Sequence, residues 1–290
     1  MGEGGTATVY RAEHQERGPC AVKILRQRSR NDPVAVKRFL REAGFGSRVT
    51  HDHVVRTYGY GEQEGLYYLA LEWAEGKPLA EIPGPLEPEL VAHMVQQLAG
   101  ALAAAHAVGI IHRDLKPENI IYYDQTRTAK LLDFGIARDA QEDPSERLTR
   151  TGFFVGSLNY VAPEALSGAL VGEAADIYSL ATITYYLLTG EHPHGGRSPR
   201  EVFQQLLTQP PRPLRQTAVG ARLPEAIEAV VMRSLSRDPS ARHPAVQAFA
   251  DDLSRAVALP VAASADTNDL SRRGGVMGAL RSLFGRKPDG

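Results

Sequence analysis

Five short segments carry residue types and spacings that could do chemistry. Gly2-Glu3-Gly4-Gly5-Thr6-Ala7-Thr8-Val9 is a glycine-rich turn leading into a strand-like run. Glycine there lets backbone N–H groups approach phosphate oxygens without side-chain obstruction, although an ordinary hairpin turn has the same composition. Ala21-Val22-Lys23 sets a lysine on an apolar strand, where its charge is costly to bury without an anionic partner. Glu42, within Arg38-Phe39-Leu40-Arg41-Glu42-Ala43, is placed to be that partner and to hold the ammonium against phosphate. The alternative is that Lys23 snorkels to water and Glu42 is one more charge on a helix surface. The remaining two segments are His112-Arg113-Asp114-Leu115-Lys116-Pro117-Glu118-Asn119 and Asp133-Phe134-Gly135. Read alone, the first of these is a polar loop after a helix.

In this order and spacing they are far more specific. The segment from His112 to Asn119 resembles the catalytic loop of the protein kinase superfamily, and Lys116, two positions after Asp114, gives it the serine/threonine form. Asp133-Phe134-Gly135 resembles the magnesium-binding motif of the same superfamily. The resemblance implies ATP with Mg²⁺ or Mn²⁺, the metal held through oxygen by Asn119 and Asp133. It implies that Asp114 accepts a hydrogen bond from the acceptor hydroxyl and orients it in line, while Lys116 neutralises the γ-phosphate. Lys23, steadied by Glu42, would then reach the α- and β-phosphates, with Gly2, Gly4 and Gly5 above them. Adenine is expected under Val9 and Ala21 and over Ile121, beside Leu71 as gatekeeper and a hinge of Glu72, Trp73 and Ala74. These apolar positions suit a plain core equally well.

Further matches extend the resemblance from Gly2 to about Val257. Ala162-Pro163-Glu164 resembles the motif that closes the activation segment, Arg242 matches the usual ion-pair partner of its glutamate, and Asp176 matches a buried aspartate that hydrogen-bonds the catalytic-loop backbone. Their implied roles are structural. Arg113, beside Asp114, calls for an anion, and a phosphothreonine at Thr149 or Thr151 in Leu148-Thr149-Arg150-Thr151-Gly152 would bring it about −1.5 to −2 charges. Autophosphorylation that orders this loop is therefore expected, with an unmodified polar loop as the alternative. Ser157 stands where the family usually has a threonine contacting the catalytic aspartate and lysine, and it keeps the hydroxyl. The preceding Phe153-Phe154-Val155 would help dock an acceptor peptide or pack on the large lobe.

Such side chains need a scaffold on either side of a cleft. Runs 8–10, 20–25, 54–58 and 66–71 have strand composition, and a helix over 33–48 places Val36, Phe39, Leu40 and Ala43 on one face. After Glu72 the periodicity predicts helices over 87–108, 175–188, 199–208, 224–234 and 244–257, with Pro199, Pro224 and Pro244 near first turns. Short strands are expected near 110, 120–122 and 130–132. The fold implied is α+β and two-lobed like a protein kinase: a small lobe of antiparallel sheet with one helix over 1–71, a hinge over 72–74 and a mainly helical large lobe over 75–257. Residues 258–290 read as a linker and disordered tail. A short basic amphipathic helix over 275–286, touching a membrane surface, is the alternative.

Bulk composition removes other classes. Thirty-three basic and 34 acidic residues leave a net charge of −1, so no global field draws the chain to nucleic acid. Cys20 has no second cysteine to pair with, and the first residues lack signal-peptide character, so a cytoplasmic protein is expected. The most apolar stretch, 98–111, falls short of the roughly 20 residues a membrane helix needs. Two positions depart from the family pattern: Ala7 stands where the third loop glycine falls, and Met1 where the residue before the first glycine belongs. Either the true start lies upstream, or the sequence is a fragment, or the small lobe is weakened, and the last of these is the ground for an alternative function as a pseudokinase scaffold with impaired ATP binding. A small-molecule kinase is a third reading, opposed by Lys116, the Ala162-Pro163-Glu164 motif and the threonine-bearing loop.

The resemblance is in particular to bacterial eukaryotic-like serine/threonine kinases, and it implies protein substrates and a homodimer through the small lobe. Mass spectrometry of the active protein should find phosphate on Thr149 or Thr151; both residues unmodified in fully active protein would contradict the loop expectation.

Overall fold

The structure is a computed structural model that describes residues 2–3, 6–132, 138–139, 157–166 and 171–259. Small and β-branched residues near the N-terminus form β1 (Gly2–Glu3), β2 (Ala7–His14) and β3 (Gly18–Leu25), and two further strands follow as β4 (Thr57–Gln63) and β5 (Leu66–Glu72). They pair antiparallel in one five-stranded sheet of order β1-β2-β3-β5-β4. The β4–β5 turn consists of Glu64 and Gly65, both at positive φ (52° and 75°), a backbone twist that suits a two-residue hairpin.

Between β3 and β4 lie α1 (Gln27–Arg30) and α2 (Pro33–Arg48). The start of α2 follows from chemistry at its first turn: the Asp32 carboxylate accepts the Val34 N–H at 2.9 Å, and Pro33 needs no donor of its own there. Its Phe39 and Ala43 pack with Ala7, Leu25 and Leu69 of the sheet into a small core. Burial of this face, rather than helix propensity, sets the helix on the sheet.

The large lobe comprises β6 (Lys77–Pro78), α3 (Pro88–Ala107), β7 (Ile110–Ile111), β8 (Ile120–Tyr123), β9 (Thr128–Leu131), β10 (Arg138–Asp139), α4 (Pro163–Leu166), α5 (Glu173–Thr189), α6 (Pro199–Thr208), α7 (Glu225–Ser234) and α8 (Val246–Ala258). Strands β6, β8 and β9 form a three-stranded sheet, and β7 pairs with β10. α5 is buried on nearly every side, which explains why its sequence is apolar all round instead of striped. It ends at Gly190, whose φ of 74° allows its N–H to reach the Tyr186 carbonyl at 2.7 Å. Around it Met94, Leu98 and Leu102 of α3, Leu115, Ile120, Leu131 and Phe249 form the main core.

Most expected elements stand within a few residues of their predicted bounds, and α2 and α6 coincide with theirs. The strand expected over 54–58 does not. Val54 makes only an isolated bridge to Leu131, and the strand itself runs Thr57–Gln63, with a bulge between Thr57 and Gly59. Val54 and Val55 are apolar because they are buried against β9 (Val55 N–H to Leu131 O, 2.8 Å), whereas the true strand carries Gly59 and Gly61 and reads as a turn. α1 and α4, four residues each, are too short for periodicity to signal. Residues Met1–Ala258 and Leu259–Gly290 form separate units, and the helix considered over 275–286 lies outside the described residues. Cys20 is buried and free. Among the described residues no helix is long and apolar enough to cross a membrane.

One ion pair ties the lobe together beneath α5. Arg242, 2% exposed, grips Glu164 with two parallel bonds of 2.7 and 2.8 Å, donates to the Ala174 and Ser236 carbonyls, and stacks over Tyr178 at 4.9 Å. Arg242→Leu takes this partner from a nearly buried carboxylate and should cost about 3–5 kcal/mol of unfolding free energy. Denaturant titration measures it, and a loss below about 1 kcal/mol, the worth of a surface pair, would contradict the assignment.

Candidate active site

On β3, side chains alternate between the two faces of the sheet, and Lys23, opposite Val9 on β2 and Leu69 on β5, points toward α2. Its ammonium bonds the Glu42 carboxylate, with the two side chains 19% and 12% exposed. Lys23 therefore does not snorkel, and Glu42 is not an idle surface charge. Ala21 lies two residues back along the same strand, opposite Leu71. Val9, Ala21, Leu71 and Ala74 are partly exposed and Ile121 is buried. Glu72 bonds Lys130 on β9 (2.5 Å) and the Arg56 N–H (3.2 Å) through its carboxylate, and its own N–H donates to the Arg56 carbonyl at 2.8 Å.

Below the cleft the chain passes from β7 through residues 112–116 and a 3-10 turn, Pro117–Asn119, into β8. Little regular structure holds this loop. It is suspended from Asp176 on α5, whose Oδ2 accepts the His112 N–H (2.9 Å) and Oδ1 the Arg113 N–H (2.9 Å). Arg113 has a φ of 64°, a left-handed conformation that costs a non-glycine residue of order 1–3 kcal/mol and persists only where its surroundings over-determine it. The two amide bonds supply that constraint, and Leu115, buried in the core, supplies another. Burial alone would push the Asp176 carboxyl up; the hydrogen bond and charge of His106, the nearby His112 and the Arg113 N–H outweigh it and hold the group below the ordinary carboxylate range.

The loop brings three sequence-predicted side chains together. Lys116 Nζ lies 3.0 Å from Asp114 Oδ2. Asn119 Nδ2 donates to the Asp114 carbonyl at 2.8 Å and to Asp114 Oδ2 at 3.1 Å. With its amide nitrogen so engaged, Asn119 has its oxygen left for a hard cation, the donor type Mg²⁺ prefers. Leu132 N–H bonds the Asn119 carbonyl at 2.9 Å, which brings the end of β9 against the loop one residue before Asp133. Asp133, Gly4, Gly5, Thr149 and Thr151 lie outside the described residues. Gly2 is described only as backbone, paired with Val9, and Ser157 only as the start of the 3-10 turn Ser157–Tyr160. Glu164, Asp176 and Arg242 sit as described above, and the Arg113 guanidinium donates to the Val171 carbonyl at 3.0 Å.

Sequence reasoning missed Gly76 and His106. A Cβ on Gly76 would collide with the Tyr122 carbonyl and the Ile121 side chain, so glycine there lets the segment after the hinge lie flat on β8. The only signal was its place just past the hinge. His106 is the third donor to Asp176, at 2.8 Å, and nothing local marks it.

Comparison with known proteins agrees with this geometry. Residues 1–253 match the Protein kinase domain family, and the chain belongs to that family. It is 37% identical over 261 residues, 88% of its own length and 31% of the relative's, to the serine/threonine-protein kinase pkn2 of Myxococcus xanthus. It is 34% identical over 262 residues, covering 88% of this chain and 39% of the other, to the serine/threonine-protein kinase PrkC of Bacillus subtilis. The chain thus spans less than half the length of these curated relatives. The crystal structure of the Mycobacterium tuberculosis PknI kinase domain superposes with a TM-score of 0.66 at 29% identity, covering 88% of this chain and 93% of that one.

Proposed function

We propose that this chain is a protein serine/threonine kinase that transfers the γ-phosphoryl of ATP to serine or threonine hydroxyls of protein substrates. The observation that carries the reading is the Asp114 carboxylate set between the Lys116 ammonium and the Asn119 amide on a loop anchored in the core. The kinase names of its bacterial relatives support it.

Each residue has a distinct task. Lys23, positioned by Glu42, holds the α- and β-phosphates of the nucleotide, and the backbone of the 2–5 turn covers them. Asp114 accepts a hydrogen bond from the acceptor hydroxyl and points its oxygen at phosphorus, so that two reactants meet as one assembled pair. Lys116 places positive charge where the transferred group carries dispersed negative charge. Asn119 and Asp133 would hold Mg²⁺ or Mn²⁺, which neutralises the phosphate chain when bound. The adenine lies against Val9, Ala21, Leu71 and Ile121, meeting the backbone of Glu72 and Ala74.

The same reading assigns Thr149 and Thr151 as activation-loop phosphorylation sites for which Arg113 is the counter-charge, and Ser157 as a hydroxyl beside Asp114 and Lys116. The corresponding organisation is a kinase domain over 1–257 followed by a tail. A cytoplasmic setting is proposed with it, supported by the free thiol of Cys20.

Incubation with γ-labelled ATP, Mg²⁺ and a basic protein should yield phosphoserine or phosphothreonine with the wild-type chain. Asp114→Asn should lower the rate by roughly 10²–10⁴-fold. Equal label with both proteins, or label in neither, would contradict the reading.

A further inference from the structure

Ser234, His243 and Asp252 stand in hydrogen-bonded order in the large lobe, outside the site described above. Ser234 Oγ lies 2.6 Å from His243 Nδ1, and His243 Nε2 lies 3.1 Å from Asp252 Oδ2. In an open pocket a series of hydroxyl, imidazole and carboxylate activates a nucleophile. Here Ser234 is fully buried and the His243 side chain is 1% exposed, so no substrate reaches the oxygen and the series has another task. Because the Asp252 carboxylate accepts, Nε2 carries the imidazole hydrogen and Nδ1 turns its lone pair to the Ser234 hydroxyl. Burial, the largest influence, and the charge of Arg233 lower the pKa of the ring against the pull of Asp252. The neutral ring is thus kept, with a partner at each nitrogen and Phe249 beside it at 5.6 Å between centroids.

The place of the ring in the chain gives the task. Ser234 ends α7, Asp252 and Phe249 belong to α8, and His243 follows Arg242 on the turn that joins the two helices. The Ser234–His243 bond closes that turn on itself. Within it the Arg242 guanidinium donates to the Ser236 and Arg237 carbonyls at 2.8 and 3.4 Å, and it also holds Glu164 and the Ala174 carbonyl. Glu164 in turn stands at the end of a segment that the Ser179 hydroxyl ties to α5 by donating to the Tyr160 carbonyl at 2.7 Å.

We propose that His243, by bridging Ser234 and Asp252, is a positioning residue for the protein acceptor: it fixes the turn from which Arg242 grips Glu164, and with Glu164 the segment 157–164 on which the acceptor peptide rests. The inference rests on the kinase reading and assigns to acceptor binding a side chain that touches neither nucleotide nor acceptor. Its effect is directional. Lys23, Asp114 and Asn119 are held by other contacts, so loosening this turn weakens the hold on the acceptor and leaves the nucleotide in place.

The test compares the full chain with His243→Phe, which keeps a ring and loses both nitrogens, and His243→Asn, whose amide oxygen can take the Ser234 hydrogen in place of Nδ1. Amide hydrogen exchange at Val161 and Ala165, whose N–H groups bond the Leu158 and Ala162 carbonyls, should quicken by roughly tenfold in the phenylalanine variant while Leu98 and Leu102 in α3 keep their protection. In transfer to a basic protein the KM for that protein should rise about tenfold, with the KM for ATP within about threefold of wild type. His243→Asn should recover most of both losses. Unchanged exchange at Val161 and Ala165, or an unchanged acceptor KM, in folded His243→Phe overturns the proposal. So does loss of protection throughout the large lobe, or an equal defect in the two variants, either of which would mark the ring as fold support only. Should His243→Phe fail to fold, Ser234→Ala takes its place, with changes of about threefold expected in exchange and in acceptor KM, and no change in either overturning the proposal. Exchange is read without turnover, so a wild-type chain that transfers no phosphate speaks against the kinase reading alone, and the amides of the segment still decide on His243.

Discussion

A single buried carboxylate carries the geometry of the catalytic loop. Between the two-residue strand β7 and the 3-10 turn at Pro117–Asn119 the chain has no ladder of its own, and its shape comes from bonds to Asp176. Those bonds need an ionised acceptor in a place where ionisation is disfavoured, and donors from α3 and from the loop itself supply the offset. The consequence reaches Asp114 directly. Arg113 takes a left-handed conformation directly after these two amides, and Asp114, the next residue, meets Lys116 and Asn119.

This arrangement explains why α5 is the most buried helix of the large lobe. A loop suspended from one side chain is only as well placed as the helix that bears it. α5 is packed by apolar residues around its circumference, closed at its end by Gly190, and flanked by the Glu164–Arg242 pair. The small lobe solves a different problem. Lys23 must hold charge on the central strand of the sheet, and α2 brings Glu42 to it through a capped first turn and a buried Phe39–Ala43 face. Positioning is thus done by a rigid core below the cleft and by one ion pair above it, which suits a reaction that needs little covalent chemistry from the protein.

Where local chemistry decides structure, the sequence was legible. Asp32-Pro33 starts α2 and Ser198-Pro199 starts α6, each with a side-chain cap, and both helices fall where pattern places them. The strand Thr57–Gln63 was illegible because its glycines and polar residues are tolerated by pairing with β5, while the apolar Val54 and Val55 before it answer to burial against β9. The residues proposed for transfer at 114, 116 and 119 were readable through spacing because the loop that carries them is contiguous. His106 was not, since its partner lies 70 residues away and only packing of α3 on α5 joins them. Gly76 was hidden for the same reason: its need for glycine comes from β8, a distant segment. Asp133, Gly4 and Gly5, named from motif, and Thr149 and Thr151, named from the charge Arg113 calls for, lie outside the described residues.

The central claim is that Asp114 positions the acceptor while Asn119 helps hold the metal-bound nucleotide, two tasks carried by neighbouring side chains that touch each other. Calorimetric titration of a non-hydrolysable Mg–ATP analogue into Asp114→Asn and Asn119→Leu separates them. Asp114→Asn should bind with affinity close to wild type, and Asn119→Leu should lose affinity by about tenfold or more in the presence of Mg²⁺. Equal losses in both variants, or no loss in either, would contradict this division of labour.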